Sequence, residues 1–114
     1  MIVGVSRFVI GLPGVASLKA KRSVVRRIID RTSARFNVAV AEVGSLDVHR
    51  RAEIGVAVLS NDAAHCHRML EEIAKYVDGL HEHRLEKRTT EILHARRDDD
   101  PEPGGVLGSW DDHA

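Results

Sequence analysis

The middle of the chain runs Asn37-Val38-Ala39-Val40-Ala41-Glu42-Val43, then Gly44-Ser45-Leu46-Asp47, then Arg51-Ala52-Glu53-Ile54-Gly55-Val56-Ala57-Val58-Leu59. The two outer segments are rich in β-branched and apolar residues, and the stretch between them has the composition of a turn, so they pair most simply as a hairpin. Ahead of this pair, Ile2 to Leu12 has strand composition and is closed by Gly11-Leu12-Pro13-Gly14. Ser17 can then cap a helix in which Leu18, Val25, Ile28, Ile29 and Thr32 fall on one side, ending near Arg35. Behind the pair, Asn61 or Asp62 is the N-cap of a second helix. Its apolar residues Cys66, Met69, Leu70, Ile73, Val77 and Leu80 recur at three- and four-residue spacings, and Gly79 terminates it. In Arg84 to Ala95, residues Thr89, Thr90, Ile92 and Leu93 favour a strand, and the interspersed charge marks it as an edge. The order βαββαβ predicts an α+β fold of ferredoxin-like type, an antiparallel sheet with two helices on one face.

That arrangement leaves one sheet face without helices. The first strand is apolar at even positions (Ile2, Phe8, Ile10, Leu12) and also at odd ones (Val3, Val5, Val9), more than a half-buried strand requires. The expectation is that the uncovered face packs on a second copy, giving a homodimer. The plainer alternative is a central strand whose open face is covered by loops or by the C-terminal tail.

With 114 residues, 43% apolar and 30% charged, the chain has the make-up of one soluble domain. The net charge of zero conceals a division, because residues 1–97 carry +6 and residues 98–114 carry −6 with no base. The domain is therefore placed at 1–97 and an acidic disordered tail at 98–114. No apolar run approaches the roughly 20 residues of a membrane span, and no charged-then-apolar leader pattern is present, so the expected location is cytoplasmic. The single cysteine, Cys66, can form neither an internal disulfide nor a Cys-rich metal site.

Three segments in order, Ser17-Leu18-Lys19-Ala20-Lys21-Arg22, Phe36 to Val43, and Ala52-Glu53-Ile54-Gly55-Val56-Ala57-Val58-Leu59-Ser60-Asn61-Asp62, give the chain a resemblance to the YlxP-like family of small bacterial proteins of unassigned function. The resemblance extends from Met1 to about Ile92. It implies a ferredoxin-like fold and a gene commonly placed beside those of transcription and translation factors, including a ribosome-binding factor; it implies no established reaction. Two positions depart from the family pattern, which usually has an acid at the place of Ala20 and an apolar residue at the place of Ser6. The first removes the capping-box partner of Ser17, and the second should weaken the sheet face that holds it.

The strongest functional clue is the first helix. Residues 1–35 contain eight bases against Asp30 alone. At about 100° per residue, Lys19, Arg26 and Arg27 lie opposite the apolar stripe with Asp30, and Arg22 and Arg31 flank it. Lys21 falls on the apolar side, where its stem would snorkel past the helix start. A phosphate backbone could lie along this band, so Lys19, Lys21, Arg22, Arg26 and Arg27 are the candidate nucleic-acid contacts, with structured RNA or a ribosomal subunit as partner. Only Phe8, Phe36, Tyr76 and Trp110 are aromatic, too few and wrongly placed for base stacking on strands, which leaves recognition of shape and phosphate.

Other constellations are weaker. Gly11-Leu12-Pro13-Gly14 spells a KH-type G-x-x-G but follows a strand instead of joining helices. The same loop could cradle a phosphate as in acylphosphatases, yet no arginine follows it before Lys19. His65 and His67 point about 200° apart on a helix, His81 and His83 make at most two ligands, and no metal site is expected. Glu42, Asp47 and Glu53 are read as charge balance for Arg50 and Arg51. The acidic tail could fold back on the basic region and compete with RNA. The reading is a non-catalytic RNA- or ribosome-associated accessory protein without cofactor. The alternatives are an interaction module working through the open sheet face, or a small-anion-binding or acylphosphatase-like protein.

Overall fold

In the computed structural model, which describes residues 1–80 and 83–95, the elements follow the order β1 (Ile2–Gly11), α1 (Leu18–Arg35), β2 (Ala39–Gly44), β3 (Arg51–Ser60), α2 (Ala63–Asp78) and β4 (Arg84–His94). The strands form one antiparallel sheet in the order β2-β3-β1-β4. This is the ferredoxin-like α+β arrangement, with β1 central and β2 and β4 at the edges. Residues 81–82 and 96–114 lie outside the described part, and with them His81, the 97/98 boundary and the acidic tail.

Local chemistry sets the helix boundaries. Ser17 Oγ accepts a hydrogen bond from Ala20 N–H at 3.1 Å, so the cap works without an acid at position 20. Asp62 Oδ1 accepts from Ala64 N–H at 2.9 Å to open α2, and Gly79 N–H closes it on the carbonyls of Lys75 and Tyr76. Period-two alternation turns Phe8 and Ile10 of β1 and Ala52, Ile54, Val56 and Val58 of β3 inward. There they meet Val25 and Ile28 of α1 and Cys66, Leu70, Ile73 and Val77 of α2. A Cβ added at Gly4 would stand 3.0 Å from Leu70 Cδ1 and 3.1 Å from Cys66 Cβ, so the missing side chain lets α2 approach β1 closely. Among the described residues no helix is long and apolar enough to cross a membrane.

Ser6, in place of the apolar residue expected on the core face, is buried, and its Oγ is hydrogen-bonded to Thr90 Oγ1 at 2.8 Å, its direct cross-strand partner on β4. The opposite sheet face carries no described element. On it Val3, Val5 and Val9 are half-buried, while Val43, Leu59 and Leu93 are 55%, 68% and 47% exposed.

Candidate nucleic-acid interface

α1 is 18 residues long and keeps its apolar residues on the side facing the sheet, which forces its cations outward. Lys19, Arg22, Arg26, Arg27 and Arg31 are all exposed, and Asp30 is the acid among them. At a rise of about 1.5 Å per residue, Lys19 to Arg27 extends over about 12 Å. Among the described residues Lys19, Arg22 and Arg26 enter no ion pair. The first turn contains no acid, so cations there stand against the positive end of the helix dipole. Between this face and the β2 edge lies a groove of about 340 Å³ whose lining includes Arg22, Arg26, Ile29 and Glu42.

Lys21 does not belong to this surface. Its side chain is 2% exposed, and instead of snorkelling past the helix start it runs inward to the hairpin. There Nζ donates to Ser45 O at 2.5 Å and lies 3.0 Å from Glu42 Oε2. The Glu42 contact is within ion-pair distance but outside hydrogen-bond geometry, so the attraction is of charge and not of a directed bond. As placed, Lys21 ties α1 to the β2–β3 turn and offers no ammonium to a phosphate in solution.

The same turn holds a second carboxylate. Ser45, at φ 55° in the left-handed region, donates its hydroxyl to Glu53 Oε2 at 2.6 Å and accepts from Arg51 Nε at 3.1 Å. Arg7 reaches Glu53 Oε1 at 3.5 Å. The Ser45 hydroxyl above all, then Arg7, Arg51 and Lys21, hold the Glu53 carboxyl below its ordinary value against an opposing effect of burial. Two of the three hairpin acids, Glu42 and Glu53, are thus charge-balanced, but by partners other than Arg50 and Arg51. Glu42 goes to Lys21, Glu53 to Arg7, and Arg51 acts through Ser45.

Sequence reasoning missed a cluster at the far end of α1. The Phe36 and Tyr76 rings meet edge to face with centroids 5.6 Å apart, and the Arg35 guanidinium carbon stands 5.7 Å and 5.2 Å from them. The residues come from different helix ends 40 positions apart, and the Arg35-Phe36 dipeptide at the C-cap is the signal the sequence contains. In the loop after β1, Leu12 N–H donates to Arg50 O at 2.8 Å and Val15 N–H to Leu12 O at 3.1 Å, so these two amides are committed to the chain itself. His83 Nε2 is within 2.6 Å of Val77 O.

The basic face of α1, the Lys21–Glu42 link and the open sheet face except the end of β4 fall within residues 3–90, the span that matches the family described as "Protein of unknown function (DUF503)". The chain is also similar to a Bacillus subtilis (strain 168) protein described as "Uncharacterized protein YlxP". It is 33% identical to that protein over 66 residues, which cover 58% of this chain and 72% of the relative. Sequence match and βαββαβ architecture agree with the resemblance carried by the Ser17–Arg22 and Ala52–Asp62 segments: the chain is similar to YlxP, and it belongs to the DUF503 family.

Proposed function

We propose that this protein is a non-catalytic accessory that binds structured RNA or a ribosomal subunit, gripping phosphates along the outer face of α1 with Lys19, Arg22, Arg26 and Arg27. The observation that supports this reading is the row of exposed cations on one helix face, interrupted by a single acid, Asp30. Lys21 contributes from beneath, by fixing the angle at which α1 rests on the hairpin. The open sheet face carries no aromatic residue among the described positions, and Phe8 is fully buried on the other side, so base stacking on strands has no platform. Recognition then rests on the spacing of phosphates and the shape of a folded RNA.

The test is binding of the purified protein to ribosomal subunits and to a structured RNA across a salt series, with a Lys19→Ala, Arg22→Ala, Arg26→Ala triple variant alongside. Wild type should lose affinity steeply with salt. The variant should bind more weakly, and the slope of log affinity against log salt should be shallower by up to about 2–3, one increment of about 0.7–0.9 per phosphate contact removed. Absence of binding by wild type at low salt, or equal slopes for the two proteins, would refute the reading.

A further inference from the structure

The aromatic pair at the far end of α1 borders open space. A cleft of about 340 Å³ lies between the end of α1 and the last turns of α2, lined by Arg35, Phe36, Glu72, Lys75 and Tyr76. Its size is at the small end of ligand clefts, which run from about 300 to 1,000 Å³. Phe36 and Tyr76 are packed in part against the core and line the cleft with the remainder. The Arg35 guanidinium carbon stands 5.2 Å from the Tyr76 ring centre and 5.7 Å from that of Phe36.

The three charged side chains of the lining are exposed, and two cations share the cleft with one carboxylate. Among the described residues Arg35, Glu72 and Lys75 nevertheless enter no ion pair. Their donors and acceptor are therefore open to a molecule placed between them. Helical spacing joins the cleft to the basic face. Arg27, Arg31 and Arg35 are successive i, i+4 neighbours on α1, a row that ends at the cleft.

We propose that this cleft takes one unpaired guanine nucleotide of the RNA whose phosphates lie along α1, an inference that rests on the RNA-binding reading above. Aromatic rings and a guanidinium plane are the surfaces on which an unstacked base is received. The Glu72 carboxylate accepts hydrogen bonds and donates none, so it selects a base that donates. Guanine offers two adjacent donors, N1–H and N2–H, on its Watson–Crick edge, whereas adenine would set its N1 lone pair against the same carboxylate. Lys75 supplies positive charge for the phosphate of that nucleotide. A purely apolar ligand would desolvate both cations and the carboxylate without replacing their water. The site lies between helices, so it needs no aromatic residue on the strands.

The test is fluorescence anisotropy of the full chain with three hairpin RNAs that differ at one bulged position, which holds guanosine, adenosine or an abasic sugar. Wild type should bind the guanosine bulge at least about fivefold tighter than the abasic one, the low end for one stacked base, and tighter than the adenosine bulge. Arg35→Lys keeps the charge and loses the plane, so it should lose most of the advantage over the abasic hairpin while its salt slope stays that of wild type. Glu72→Gln should bind guanosine and adenosine bulges equally. Both substitutions are at exposed side chains, so folding is not at stake.

Equal wild-type affinity for the three hairpins, with a steep salt dependence, overturns the cleft and leaves the reading of α1 standing. Failure to bind any of them at low salt overturns both. A guanosine preference that both variants keep puts the base elsewhere and overturns this site. Guanosine monophosphate should fail to displace the hairpin at micromolar concentration; displacement there would overturn RNA as the source of the nucleotide.

Discussion

Lys19 and Lys21 are two positions apart on α1, yet Lys19 stands in solvent and the Lys21 side chain is 2% exposed. The outer face of the helix presents cations without an ion-pair partner at Lys19, Arg22 and Arg26 among the described residues. The inner face spends its single cation on Glu42 and the Ser45 carbonyl. A count of basic residues therefore overstates the exposed cations of this helix by one and hides a structural tie. The physical distinction is the dielectric environment: an exposed ammonium interacts through water, whereas a buried one must be matched by fixed acceptors or it destabilises the fold.

The largest expected effect breaks the inner link. Lys21→Met keeps most of the stem volume but leaves Glu42 and the Ser45 carbonyl without their cation. It should cost about 2–4 kcal/mol, somewhat below a fully buried pair because Glu42 is 22% exposed. Lys19→Met should shift stability by no more than about 0.5 kcal/mol. Denaturant unfolding of both variants checks the contrast, and equal costs would erase it. Glu42→Gln is the next step down, at about 1–2 kcal/mol, since the ammonium keeps its Ser45 acceptor and gains a neutral one. In the double variant with Lys21→Met the two costs should be less than additive, the signature of a shared contact. Ser17→Ala, which removes the acceptor for Ala20 N–H at the start of the same helix, should cost about 1 kcal/mol and leave the Lys21 link intact.

Much of this molecule was legible in its sequence where the determinants are local. The Gly44-to-Asp47 turn, the Ser17 and Asp62 caps and the three- and four-residue periodicity of α2 each act within a few residues, and the elements they define are present. The charged run at Arg84–His94 correctly marked an edge strand. Long-range partners were not legible. Helical spacing gave the direction of Lys21 but not its destination, because Glu42 and Ser45 are 21 and 24 positions away and meet it only when α1 folds onto the hairpin. For the same reason the Thr90 partner of Ser6 was not legible, because only the β1–β4 register places it opposite. The Phe36–Tyr76 contact joins ends of two helices that no periodicity relates. The outward direction of Lys19, Arg22, Arg26 and Arg27 was readable because it follows from helical spacing alone.

The smallest effect concerns the carboxylate beside the Lys21 tie and is visible only as a function of pH. Glu53 has its folded-state value held below the ordinary 4.5 by the Ser45 hydroxyl first and then by Arg7, Arg51 and Lys21. A carboxyl depressed in the folded state contributes stability above its unfolded value. It loses that contribution as the pH falls from about 4.5 through the folded value, because the unfolded chain takes up the proton first. Glu53→Gln removes that titration while keeping an acceptor for Ser45. Wild type should therefore exceed the variant in unfolding midpoint at neutral pH, and the gap should close below pH 4.5. The other carboxylates titrate in both proteins and cancel in the difference. A gap that stays constant down to about pH 2 would mean that Glu53 acts through packing and hydrogen bonding alone, and that the cations around the turn are arranged about Glu42 instead.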